Sequence, residues 1–175
     1  MTTESKVYIG GAIVTGLIMI GAIILFSKGD ERLNKPLLGQ KVQVSAMHVS
    51  PGTKVSYNSN PPAGGEHYGD STGHSGFYDT TNVPADGYLV HSLEHGAVIL
   101  WYNPKMLSKD QVKQLTALFN SISLPKTIMT PRDSMDVPVA ITSWGQILKL
   151  KTIDEKQIKN FFETNYDRGP EQAPI

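Results

Sequence analysis

The sequence predicts an α+β protein: an N-terminal transmembrane helix, then one compact mixed domain with a small sheet and two amphipathic helices. Three observations carry that expectation. From Tyr8 to Phe26, nineteen residues run without a charge. Several short apolar runs stand close together between glycine and proline breakers, the pattern of adjacent strands. Two longer segments repeat their apolar residues at intervals of three and four behind capping signals, the pattern of helices that bury one face. Intermixed strands and helices with hairpin-like adjacency make the class α+β.

The first thirty residues differ in kind from the rest. After a short tail (residues 1–7), the run 8–26 has the length needed to cross a hydrocarbon core of about 30 Å. The flanking Leu25-Phe26-Ser27-Lys28-Gly29-Asp30 offers no small-x-small cleavage site, so the run reads as an uncleaved single-pass anchor. Lys6 alone precedes it, whereas Lys28, Arg32 and Lys35 follow, a count that favours a cytoplasmic C-terminal side. A short tail, one span and one folded domain is, however, an architecture commonly exported. The expectation adopted is an extracytoplasmic domain.

Residues 27–41 read as a polar juxtamembrane linker broken by Pro36 and Gly39, and 42–170 as the globular domain. Val42 to Ala46 alternates and is expected to be its first strand. From Tyr57 to Asp86 the chain is rich in glycine and proline, and a loop this long inside a compact domain is usually functional. Tyr57, Tyr68, Phe77 and Tyr78 give it anchors, so an ordered wrap-around loop is expected. Ala97 to Tyr102, uncharged and rich in β-branched residues, reads as a buried strand, and Tyr88-Leu89-Val90 as strand-like.

Ser108 with Gln111 is a capping box ahead of Val112, Leu115, Leu118, Phe119 and Ile122, and Pro125 ends that helix. Thr127 to Thr130, Val137 to Trp144 and Ile147 to Leu150 are expected strands, the last two joined through Gly145. Thr152 with Glu155 suggests a second capping box, ahead of Ile158, Phe161, Phe162 and Tyr166. Arg168-Gly169-Pro170 stops the helix, and 171–175 is expected to fray.

Charge is balanced, with no basic excess to suggest a nucleic-acid partner, and cysteine is absent. That removes disulfides, cysteine-ligated metals and thiol catalysis together. Ser92 lacks a nucleophile-elbow context, and no glycine-rich phosphate loop is present.

Chemistry concentrates in the histidines. His48, His67, His74, His91 and His95 all flank expected strands or lie in the glycine-rich loop, and His91-Ser92-Leu93-Glu94-His95 places two imidazoles and a carboxylate within five residues. The spacing formally matches the inverted zinc-peptidase pattern H-x-x-E-H, which needs both histidines on one helical face. Between two strand-like runs and before Gly96 a helix of useful length is not expected. The alternative brings His91 and His95 together through a turn, with His67 or His48 closing a metal site. Glu94 would then be a ligand or would orient an imidazole. Imidazole suits zinc, copper, iron and nickel, and thioethers from Met47, Met129 or Met135 would favour copper. A metal-free hydrogen-bond network pinning the loop to the strand competes with this reading.

The segments Tyr57–Tyr68 and Val90–Tyr102, with the later stretch Pro131-Arg132 to Trp144-Gly145, resemble the domain-of-unknown-function family numbered 3105. That resemblance implies a membrane-anchored domain and puts His48, His67, His91, Glu94 and His95 on motif positions, leaving His74 off them. The chain departs from the family's Thr-Ser-Gly before the loop histidine, carrying Ala63-Gly64-Gly65-Glu66 instead. The resulting expectation is a membrane-anchored domain binding one transition metal, copper first and zinc second, through His48, His67, His91, His95 and Glu94. The metal-free interaction module with an unidentified protein partner is the alternative, and a hydrolase with Glu94 as base the third reading. The site is read as binding rather than catalytic, and no reaction is assigned.

Overall fold

The computed structural model describes residues 31–175. Two units divide the chain, Met1–Lys35 and Pro36–Ile175. Of the first, the described part is a short 3-10 helix, Glu31–Asn34.

The second unit is built on a six-stranded mixed sheet. Its strands are β1 (Gln40–Lys41), β4 (Gly76–Phe77), β5 (Val98–Tyr102), β6 (Thr127–Pro131), β7 (Val139–Ser143) and β8 (Gln146–Leu150), in the spatial order β1-β8-β7-β5-β6-β4. β5 runs parallel to β6 and antiparallel to β7, and β7 turns back into β8 through Trp144-Gly145. Gly145 takes a positive φ of 69°, which that tight connection requires.

All five residues of β5 are buried, because both faces of the sheet are covered. Alternation along the strand sorts its side chains between two clusters. Val98, Leu100 and Tyr102 join Met129, Val139 and Ile141 beneath α2 (Lys109–Asn120) and α3 (Glu155–Asn165). Ile99 and Trp101 join Ile128, Ala140 and Met135 beneath α1 (Asp86–Glu94). Trp101 satisfies its indole by donating to Thr142 Oγ1 at 2.8 Å.

α2 begins as the sequence suggests: Ser108 Oγ accepts from the Gln111 amide, and the Gln111 side chain accepts from the Ser108 amide. α3 is capped by Asp154, whose carboxylate accepts from the Gln157 amide at 2.9 Å, and not by Thr152. An aspartate can take this role as readily as a threonine.

The expected architecture needs three corrections. Among the described residues no helix is long and apolar enough to cross a membrane, and the expected span at 8–26 lies outside them, so the fold described here contains no transmembrane helix. The domain carries three α-helices, not two. The third is α1, through Tyr88-Leu89-Val90 and the His91–Glu94 motif, where strand-like structure was expected.

The reason for the last correction is burial on nearly every side: Leu89, Val90, His91, Ser92, Leu93 and Glu94 are all inside. A helix covered all round loses the polar stripe that reveals its period. Its N-cap, Ala85, makes no side-chain bond, so the start carries no signal either. The end does. Gly96 has φ +87°, its amide donates to Leu93 O, and the Ala97 amide donates to Ser92 O, a Schellman closure. Gly96 is therefore the helix stop before β5.

Val42–Ala46 also forms no regular strand. The pairing falls on either side of it, at β1 and at β2 (His48–Val49), which runs parallel to β3 (His67–Tyr68) in a separate ribbon.

A histidine and glutamate cluster at the end of helix α1

Each side chain of the cluster is delivered by a different local device. In the β2–β3 ribbon His48 is the register partner of His67, so the pairing itself sets the two rings 4.6 Å apart, edge to face. The His67 amide donates to Met47 O and locks that register. Ahead of His67, Gly64 and Gly65 both have strongly positive φ, which side-chain-bearing residues rarely adopt. A Cβ on Gly64 would fall 2.9 Å from Val44 Cγ1. The pair lets the chain curl so that the Gly65 carbonyl faces the His67 ring.

α1 supplies the rest. His91 and Glu94 are three residues apart and share a face, while Leu89 and Leu93 face the sheet. Arg132 fixes the start of α1 by donating from Nη1 to both oxygens of Asp86, at 2.7 and 2.9 Å. Its Nε donates to Asn60, tying the long loop to the same point.

The result is a buried meeting of three imidazoles and one carboxylate. His67 is fully buried, His91 and Glu94 nearly so, and His48 is 47% exposed. His67 Nε2 lies 2.8 Å and His48 Nε2 3.3 Å from Glu94 Oε2. The His91 ring is 5.1 Å from that of His67 and 5.2 Å from that of His48. One ligand atom from each of the four residues falls within 4.8 Å of the others.

Hydrogen bonding assigns the tautomers. His67 Nδ1 donates to Gly65 O at 2.7 Å, and His91 Nδ1 donates to Ser71 O at 2.8 Å. A ring that donates from Nδ1 turns its Nε2 lone pair the other way when neutral. For His67 that lone pair would face a carboxylate oxygen, acceptor against acceptor. The arrangement is satisfied by a proton or a cation between them. Burial first, with the neighbouring imidazoles adding to it and the bond to Ser71 O opposing it, lowers the His91 pKa from its ordinary value and so favours the neutral ring.

His95 does not join this group. It caps the helix, donates from Nδ1 to Pro174 O at 2.8 Å, and has Nε2 3.4 Å from Glu171 Oε2. His74, held apart by the sequence pattern, stays outside the cluster; its carbonyl accepts from the Tyr78 hydroxyl. The methionines do not contribute: Met129 and Met135 are core residues of opposite faces, and Met47 is half exposed. The thioether argument for copper has no support here.

Although α1 is a helix, the H-x-x-E-H peptidase arrangement is not formed, since His95 aims its Nε2 at Glu171 and Glu94 stands among the would-be ligands. Sequence reasoning also missed Glu171 and the carbonyls of Gly65, Ser71 and Pro174. The tail expected to fray is instead tied down, with the Glu171 amide donating to Glu94 O at 3.1 Å.

A family model described as a protein of unknown function, DUF3105, matches residues 48–174, well over half of the chain. The chain belongs to that family. The matched region of this DUF3105 domain opens on His48 and closes on Pro174, whose carbonyl holds His95. No curated protein and no solved structure matches the chain.

Proposed function

We propose that this DUF3105 domain binds one divalent transition-metal ion, zinc in the first instance, through His48, His67, His91 and Glu94. The observation that carries the reading is the convergence of three imidazoles on one buried carboxylate, two of the rings clamped at Nδ1 by backbone carbonyls. Such clamps fix the tautomer and aim Nε2 at an ion. Around zinc at about 2.0–2.1 Å, tetrahedral ligand atoms stand roughly 3.3 Å apart, so with all four ligand atoms within 4.8 Å of one another no pair needs to close by more than about 1.5 Å. The half-exposed His48 is the side chain freest to do so, and it marks the solvent side of the site. A set of three nitrogens and one oxygen without sulfur suits zinc, with iron or nickel chemically compatible.

The test is metal content of the purified full-length chain beside His48→Ala and Glu94→Gln, with circular dichroism to verify folding. About one equivalent of zinc in the parent after loading, with markedly weaker retention in both folded variants, is expected. A parent that takes up none of zinc, iron, nickel or copper sinks the proposal. That outcome would favour the metal-free reading, in which the buried His67–Glu94 contact pins the long loop to α1 as an interaction surface.

A further inference from the structure

We infer that Glu94 is a shared carboxylate between two metal positions, the second formed with His95 and Glu171. This rests on the metal-binding reading above and extends it from one ion to a pair. One ligand atom each of Glu94, His95 and Glu171 lies within 4.8 Å of the others, and Glu94 is the residue common to both groups. Both imidazole contacts of the first group fall on Oε2. Among the described residues no hydrogen bond reaches Oε1, so the carboxylate has an oxygen for each side.

His95 repeats the device seen at His67 and His91. Its Nδ1 donates to a backbone carbonyl, that of Pro174, and its Nε2 is turned to a carboxylate, that of Glu171. The ring stands 4.5 Å from that of His91 and is 12% exposed. Three histidines around one helix end are thus oriented in the same way, a convergence that a merely structural tail does not require.

The chain invests in bringing Glu171 there. The Asp167 amide donates to Gly96 O, and Lys126 Nζ bridges Asp167 and the His95 carbonyl. Gly169 passes so close to α1 that a Cβ on it would lie 2.1 Å from Glu94 O and 2.4 Å from the Gly96 amide. Only a glycine fits, and the approach it permits lets the Glu171 amide bond to Glu94 O. The second position has three protein ligands, which leaves room for water or an anionic oxygen on the half-exposed Glu171 side.

The experiment is a cobalt(II) titration of the metal-stripped full-length chain, read by absorption for stoichiometry and by electron paramagnetic resonance for coupling. Two equivalents are expected, the second one lowering the resonance intensity per cobalt as the two ions couple through Glu94. Glu171→Gln, an exposed change, should stop at one equivalent with the uncoupled signal. Gly169→Ala, which replaces no ligand but forces the tail away from α1, should do the same. A parent that saturates at one equivalent overturns this inference and leaves the single-ion reading standing, whereas a parent that binds none overturns both. Two equivalents retained in Glu171→Gln, coupled as in the parent, would also overturn it.

Discussion

On one face of the sheet α2 and α3 lay Leu115, Leu118, Phe119, Ile158, Phe161 and Phe162 over Val98, Leu100 and Ile141. On the other, α1 touches the sheet through Leu89 and Leu93 and also buries His91, Ser92 and Glu94. The first face is held by area removed from water, each large side chain contributing about 1.5–3 kcal/mol. The second is held largely by hydrogen bonds whose net contributions are smaller, about 0.5–1.5 kcal/mol, but whose loss leaves buried polar atoms without partners. The apolar face thus sets how stable the domain is, and the polar face sets which arrangement it adopts.

Phe161→Ala tests the first half of this contrast. Phe161 is fully buried, and its truncation is expected to cost about 3–5 kcal/mol in denaturant unfolding. In conditions where the variant stays folded, its metal content should match the parent. A loss of metal in a folded Phe161→Ala domain would show that the two faces are not independent.

A smaller effect is expected from Gly96→Ala at the junction of the two regions. The residue would have to hold φ +87° with a Cβ 2.8 Å from Asp167 Cα. Strain of this kind is of the order of 1–3 kcal/mol. Thermal unfolding should fall accordingly, and the tail should become protease-sensitive. An unchanged melting temperature would mean that the Schellman closure does not hold α1 to the tail.

The smallest effect is a pH dependence confined to the polar face. His91 titrates lower in the folded chain than its ordinary value of 6.5. In the unfolded chain it takes up a proton near 6.5, while in the fold it resists doing so. Below that pH the unfolded state therefore binds more protons, and stability falls as pH falls, levelling off below the folded value. Melting of the metal-stripped chain from pH 8 to 5 should show this decline, reduced in His91→Asn. Equal slopes in parent and variant would remove His91 from the account.

The apolar face was the legible one. β5 to β8 stand where uncharged runs between breakers put them, and α2 and α3 where their apolar stripes put them, because those helices keep a polar side that exposes their period. α1 was hidden for the opposite reason: Leu89 and Leu93 meet the sheet, His91 and Glu94 meet the ribbon and Val90 is buried too, so no polar stripe remains. Gly96 was the available clue, read as a divider when it was a helix stop. The residues of the cluster were named from clustering and from the family pattern, but their partition was not. What parts His95 from His91 is the far end of the chain, Glu171 and Pro174, and no local pattern speaks of a contact spanning that distance.

The pairing of His48 with His67 has a consequence for how the chain comes together. On the metal-binding reading, an ion held by these residues and by Glu94 ties positions 48 and 94 into a single knot, closing a loop of about 46 residues. By the chain-entropy account of cross-links, a clasp over that length would narrow the unfolded ensemble by roughly 4 kcal/mol. The glycine- and proline-rich stretch between the two ends, with little regular structure to hold it, would then be ordered by its anchorage at both ends as much as by its own packing.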